Sequence, residues 1–309
     1  MLHRDFFHFN TSNFIDVETE DQGILDEAII LCDRYEHLFS RVNPDSQLYQ
    51  VNHAQGCPCA VDIELASLAK TALAYCHESE GRYDITMGSV TQLWDFKRGI
   101  IPNADEVSRA LTHVDYHSVD IHNNEISLKD PLACIDLGGI AKGYIADAML
   151  ELFRAHGVVH ALVNLGGNVA VMGGKPDGSP WRIGIRKPLS SSAMPAIQPF
   201  ATVAIYDGSV VTSGIYERAF TRDDVLYHHI LDPKTGFPAK TDLLSATVIS
   251  RTSIDGDGFT TALIIMGADR ALEFACKHPN IEVILVTCEG DVLATPSVGN
   301  EIPFEMVSR

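Results

Sequence analysis

The chain has 309 residues, with 23 Lys+Arg against 41 Asp+Glu, a formal charge of −18 at pH 7. That balance excludes general nucleic-acid binding and adhesion to anionic membrane surfaces; it leaves a polyphosphate ligand open, because a metal ion supplies local positive charge. With 46% hydrophobic and 21% charged residues, the composition is that of a globular protein with core enough for one large domain or two small ones.

The first residues, Met1-Leu2-His3-Arg4-Asp5, lack a charged-then-apolar signal region, and no apolar run is long enough to span a bilayer. The expectation is a soluble, cytoplasmic protein. Seven cysteines are scattered singly except for Cys57-Pro58-Cys59, which suits reduced thiols better than a disulfide framework. That pair has no second pair at zinc-site spacing and reads as a loop with two thiols.

Phe6 to Val17 reads as a short strand interrupted at Asn10–Asn13. Ile24, Ala28, Leu31, Tyr35 and Leu38 recur at spacings of four and three, which predicts a helix from about Gln22 to Phe39. A polar loop is expected from Ser40 to about Asn52. Asp62 is a candidate N-cap for a second helix with Leu65, Leu68, Ala72 and Tyr75 on one face, ended by Gly81. Tyr83 to Phe96 has aromatics but no clear period. Asn103 and Glu106 make a capping-box pattern for a short helix to about His113. Val119 and Ile121, then Ile126 and Leu128, flank Asn123-Asn124 as a hairpin.

The next stretch, Cys134 to Asp147, organises the chain. It reads as a short apolar strand ending at Asp136, a Gly138-Gly139 turn, and a helix that stops near Gly157. Glycines let a backbone approach a ligand closely, a helix start suits phosphate oxygens, and Lys142 adds a point charge within the first turn. The spacing matches neither the P-loop nor the dinucleotide glycine fingerprint; the alternative is an ordinary strand–helix turn with a salt-bridging lysine.

The chain then becomes β-rich. Strands are expected at Ala161–Leu165, Asn168–Met172 and Trp181–Arg186. Pro188 to Pro199 reads as an exposed loop, Ala201–Ile205 and Ser209–Thr212 as a hairpin around Asp207-Gly208, and Tyr227–Leu231 as a strand cut off at Asp232-Pro233. Ser245–Ser250 is a strand, and a loop reaches Asp257. Helices follow from about Gly258 to Met266 and from about Asp269 to Lys277. A hairpin of Val283–Val286 and Val292–Ala294 closes the chain. Hairpins mixed with helices predict an α+β fold with mostly antiparallel sheet.

Three further stretches carry chemistry. Thr212-Ser213-Gly214 with Arg218 nearby suits a phosphate or a ring edge, or is a plain turn. His228-His229-Ile230-Leu231-Asp232-Pro233 places a histidine at a strand end, as acid, base, ligand or structural residue. Asp257 and Thr261 lie one helical turn apart, a carboxylate and a neutral oxygen of the kind Mg²⁺ takes; Asp257 is equally good as an N-cap.

Together these stretches resemble one family, the FAD:protein FMN transferases of the ApbE type. The resemblance covers nearly the whole chain, in order. It includes Asp45-Ser46 and Asn52, Tyr83 to Phe96, and Asp136 to Asp147 almost residue for residue. Leu165-Gly166-Gly167-Asn168, Trp181 to Ile185, Thr212 to Tyr216, His229 to Gly236, and Asp257 with Thr261 complete it. It implies an ApbE-like (T-fold-like) α+β fold and a single catalytic domain over 1–309. The implied activity uses Mg²⁺ (or Mn²⁺) and moves the FMN part of FAD to a threonine of an acceptor flavoprotein, releasing AMP. By position it implies FAD contacts at Trp94, Asp95, Phe96, Asp136, Lys142, Ser213, His229 and Ile230. It assigns metal ligands at Asp257, Thr261 and the Gly139 carbonyl, and catalytic roles to His229 and Asp257. The rivals are FAD hydrolysis to FMN and AMP, and a flavin-binding module without turnover. The chain departs from the family pattern at Phe9-Asn10-Thr11, where Met-Gly-Thr is usual, at Val42 in place of a frequent aromatic, and at Ser89 in place of a frequent proline.

Overall fold

The computed structural model describes residues 1–186 and 199–307; the expected loop over 188–198 lies outside the described residues. Two units emerge. The first comprises 1–33, 142–216 and 241–309, and the second comprises 34–141 and 217–240.

The first unit is built on an eight-stranded sheet. Its spatial order is Leu2–His8, Thr11–Val17, Ala161–Leu165, Asn168–Met172, Gly208–Gly214, Leu243–Ser250, Ile281–Thr287 and Val292–Ala294, every neighbour antiparallel. A three-stranded antiparallel sheet, Phe304–Met306, Pro199–Ile205 and Trp181–Arg186, shares a core with it through Trp181, Ile183, Ile185, Val203, Val210, Ile249 and Ile284. Alternation along a strand sends neighbouring side chains to opposite faces. Val210 accordingly enters this core, whereas Val211 meets Gly256 of the helix Ser253–Met266. A Cβ on Gly256 would lie 2.5 Å from Val211 Cγ2, so this glycine sets how closely helix and sheet approach. The helices Ala141–Ala155 and Ala268–Lys277 complete the unit, with the first part of Gln22–Phe39.

The second unit is smaller in its β content. It contains a sheet of Cys59–Ala60, Glu125–Leu128 and Val119–His122, a hairpin of Ala219–Arg222 with Val225–His228, and the helices Gln47–His53, Ile63–Glu78, Gly88–Thr91 and Ala104–Leu111. Asp62 caps the Glu64 amide, and the Asn103/Glu106 capping box forms. One of its apolar clusters gathers Met87, Val90, Trp94, Val107 and Leu231.

Several local expectations are corrected. The interruption after Phe6 is a hairpin turn: Phe9 and Asn10 both take positive φ (57° and 56°) between two seven-residue strands. The polar loop after Ser40 contains the helix Gln47–His53. Pro199–Ile205 and Gly208–Gly214 are not a hairpin: the first pairs with Trp181–Arg186 and Phe304–Met306, the second with Asn168–Met172 and Leu243–Ser250. The strand near His228 covers Val225–His228, and Leu231 joins Pro238 only by an isolated bridge. No helix among the described residues is long and apolar enough to cross a membrane.

Candidate functional site

The organising stretch does not form a strand. Cys134 makes a single bridge to Met87, and other partners satisfy the neighbouring backbone. Asn52 grips Ile135 on both sides: its Oδ1 accepts from Ile135 N (2.8 Å) and its Nδ2 donates to Ile135 O (2.9 Å). Cys134 N donates to Ser89 Oγ (2.9 Å), and Asp136 N to Ile85 O (2.7 Å). A buried backbone must find partners, and here side chains replace a ladder. Burial pushes the Cys134 thiol up to about 11, which leaves it protonated and inert at neutral pH.

Asp136 is tied at three points. Its Oδ2 faces Arg41 Nε (2.9 Å) and accepts from Thr91 Oγ1 (3.2 Å), while its Oδ1 accepts from Gly138 N (2.9 Å). Gly138 and Gly139 do not take positive φ. Their role is room: a Cβ on Gly139 would lie 2.9 Å from the Tyr83 ring, and one on Gly138 3.0 Å from Asp136 Oδ1.

In the first unit, the helix Ala141–Ala155 holds the start of Ser253–Met266. The latter begins at Ser253, so Asp257 sits inside it and is not its N-cap. The N-terminal amides Ser253 N and Ile254 N donate instead to the Asp147 carboxylate (2.8 and 2.9 Å). Helix starts need such acceptors, and here a distant helix supplies them. Burial pushes Asp147 up to about 6, against those two hydrogen bonds. Gly143 allows the contact: a Cβ there would lie 2.5 Å from Ser253 O and 2.7 Å from Ile254 Cα. Asp257 is 4% exposed. Its Oδ2 accepts from Gly143 N (2.8 Å), and Lys142 Nζ stands 3.4 Å from Oδ1. Thr260 turns inward, accepting from Ser213 Oγ (2.9 Å) and donating to the Asp257 carbonyl (3.2 Å), whereas Thr261, half-buried, lies one turn beyond Asp257.

In the second unit, Trp94 is buried, with its indole N–H donating to Gly236 O (3.1 Å). Phe96 stacks on it (centroids 5.3 Å, planes at 2°) and is the more open ring. Asp95 caps Arg98 N (2.9 Å). His228 is buried and held by Ala239 O (3.2 Å), and desolvation lowers its pKa, so it takes the structural role. His229 is half-buried, its backbone N bonded to Arg218 O (3.1 Å), and Ile230 is buried.

Of the residues singled out by sequence, Lys142 and Asp257 are brought together, and Ser213 reaches them through Thr260. Trp94 and Phe96 form one stack. Gly139, Asp136, Trp94, Asp95, Phe96, His229 and Ile230 belong to the second unit; Lys142, Ser213, Asp257 and Thr261 belong to the first. Sequence reasoning missed Arg41, Thr91 and the clamping role of Asn52. Each acts across a long stretch of chain, and a polar residue in a loop carries no local signal of its partner.

Asp257 and Thr261 supply hard oxygen donors. Among the described residues no three His, Cys, Asp or Glu side chains come together to hold an ion. A cation here would therefore rely on one carboxylate, neutral oxygens and substrate phosphates, the donor set Mg²⁺ accepts. The residues fit that group.

The ApbE family model matches residues 9–285. The chain belongs to the ApbE family. A curated relative from Treponema pallidum, named FAD:protein FMN transferase, is 33% identical over 301 residues, covering 92% of this chain and 82% of its own. One of the same name from Klebsiella pneumoniae is 34% identical over 280 residues, covering 89% and 85%. Among solved structures, the ApbE protein of Thermotoga maritima superposes with a TM-score of 0.86 at 28% identity, over 96% of this chain and 97% of that one. The flavin transferase ApbE of Vibrio cholerae gives 0.84 at 26%, over 96% and 97%. The α+β fold with mostly antiparallel sheet is thus the ApbE fold.

Proposed function

We propose that this ApbE-family chain is an FAD:protein FMN transferase that uses Mg²⁺ and attaches FMN to a threonine of an acceptor flavoprotein. The observation that carries the reading is the buried Asp257, fixed by Gly143 N and Lys142 and followed one turn later by Thr261. A buried carboxylate is costly unless it is paired or binds a metal. The curated relatives' names supply the reaction class.

In this reading Asp257 and Thr261 hold the metal; Gly139 belongs to the other unit, and its place among the ligands rests on the resemblance alone. When bound, a divalent cation neutralises charge on pyrophosphate oxygens. Lys142 adds a fixed positive charge and holds Asp257. The acceptor threonine Oγ bonds to the flavin-side phosphorus as the bridging P–O bond breaks, and AMP leaves with the electron pair. The hydroxyl proton passes to His229. Trp94, Asp95, Phe96, Asp136, Ser213 and Ile230 are assigned to the FAD pocket. The whole chain acts as one catalytic domain. The seven free cysteines support a reducing, cytoplasmic setting.

The test is AMP release from FAD, with and without Mg²⁺, for the wild type and Asp257→Ala. The reading expects release that needs Mg²⁺ and is abolished in a variant that still folds. Equal release by the variant overturns the metal assignment.

A further inference from the structure

Most arginines whose side-chain partners are defined meet exposed carboxylates or carbonyls. Arg4 meets Asp26, Arg98 meets Asp95, Arg182 meets Glu305, and Arg222 meets Gly99 O. Arg41 differs. Its side chain is 26% exposed, and its partner Asp136 is 27% exposed. Asp136 is itself fixed by the Thr91 hydroxyl and the Gly138 amide, so the guanidinium is aimed by a carboxylate that has little freedom to move. The contact is made by Nε, at 2.9 Å. A guanidinium carries five N–H groups in a planar fork, and four of them are on the Nη atoms. Among the described residues, those Nη groups take no hydrogen-bond acceptor. The pair lies beside the Gly138-Gly139 turn, where a side chain would collide with Asp136 or Tyr83.

We propose that Arg41 contacts the substrate directly, giving its Nη N–H groups to phosphate oxygens of the dinucleotide, and that Asp136 acts through it as a positioning residue. This rests on the transferase reading and departs from the resemblance, which assigns the FAD contact to Asp136 itself. Asp136 shares its charge among three donors and has little acceptor capacity left. Arg41 has donors to give, and a guanidinium fork matches phosphate oxygens better than any other acceptor on FAD. The location also suits this sequence, in which exposed Val42 stands beside Arg41 and offers no aromatic face.

The experiment is equilibrium FAD binding, followed by flavin fluorescence at low and high salt, for the wild type, Arg41→Gln, Arg41→Lys and Asp136→Asn. Loss of a charge-assisted contact predicts about 10- to 100-fold weaker binding for Arg41→Gln. A contact to a charged phosphate is screened by salt, so the dependence of affinity on salt becomes shallower in this variant. Arg41→Lys keeps the charge and the salt dependence while losing part of the affinity. Asp136→Asn weakens FAD in the same sense by a smaller factor. Unchanged affinity in Arg41→Gln overturns the inference. So does a loss in Arg41→Gln that leaves the salt dependence as in the wild type, because that marks a structural role or a neutral ring contact. Wild-type protein that binds no FAD overturns the transferase reading and this inference together, whereas wild-type binding with unchanged variants overturns this inference alone.

Discussion

Gly143→Ala puts one methyl group where two helices touch. The new Cβ would lie 2.5 Å from Ser253 O, 2.7 Å from Ser253 C and 2.7 Å from Ile254 Cα. All three are backbone atoms, so no side chain can rotate away. Restoring ordinary contact requires the helices to part by roughly 1 Å, and overpacking of this kind costs about 1–3 kcal/mol. Gly143 is the third residue of its helix, and alanine there returns up to about 1 kcal/mol of helix propensity. The net loss is therefore about 0–2 kcal/mol, a fall in Tm of only a few degrees for a chain of this size. The effect on turnover should be larger. The same displacement pulls Gly143 N from Asp257 Oδ2, now 2.8 Å apart, and shifts Ser253 and Ile254 against Asp147. A misplacement of about 1 Å in a catalytic group costs about 100-fold in rate. Thermal unfolding and the initial rate of AMP release, measured on one preparation, separate the two effects. A variant with a small change in Tm and a rate within about twofold of the wild type would refute the idea that this helix contact sets Asp257.

Asp147 makes a pH-dependent contribution. Its pKa in the fold is about 6, above the ordinary 3.8, so the folded protein holds a proton through that window that the unfolded chain has lost. Stability from this group therefore falls as pH rises from 3.8 to about 6, and Asp147→Asn, which does not titrate, lacks that fall. Denaturant unfolding of both proteins on either side of the window checks it; parallel curves would contradict it. Asn52→Ala strips both partners from Ile135. The expected cost is about 1–3 kcal/mol in urea unfolding, and a change below about 0.5 kcal/mol would show that water replaces the clamp. His229→Ala should slow FMN transfer more than it weakens FAD binding, read as the rate of transfer beside the FAD dissociation constant. A defect confined to binding would remove its role as proton acceptor.

The elements that sequence identified are those whose cause is local. Gln22–Phe39 follows from its apolar stripe, Ala104–Leu111 from the Asn103/Glu106 box, and the Val119–Leu128 hairpin from Asn123-Asn124. The misreadings have distant causes. Ile135 looks like strand sequence, but its backbone partners come from Asn52. Asp257 looks like an N-cap, yet Asp147 satisfies the helix start upstream and lets the helix begin at Ser253. The turn at Asp207-Gly208 is real, but the pairing of Pro199–Ile205 with Trp181–Arg186 decides that the chain changes sheets there. Gln47–His53 is short and buries only Leu48 and Val51, and Ser46 sends its hydroxyl back to Leu38 O rather than into the helix start. The site shows the same division. Asp136, Lys142 and Asp257 stand in recognisable motifs, whereas Arg41 and Thr91 become visible only once the fold sets them against Asp136.

The most direct measurement of the central proposal is the intact mass of a small acceptor domain bearing a flavinylation-type threonine, after incubation with this protein, FAD and Mg²⁺. The account predicts that the acceptor gains one FMN less water, that AMP appears in equal amount, and that replacing the threonine with alanine abolishes both. AMP and free FMN with an unmodified acceptor would contradict transfer and establish hydrolysis with water as acceptor. FAD bound without any AMP would contradict catalysis itself.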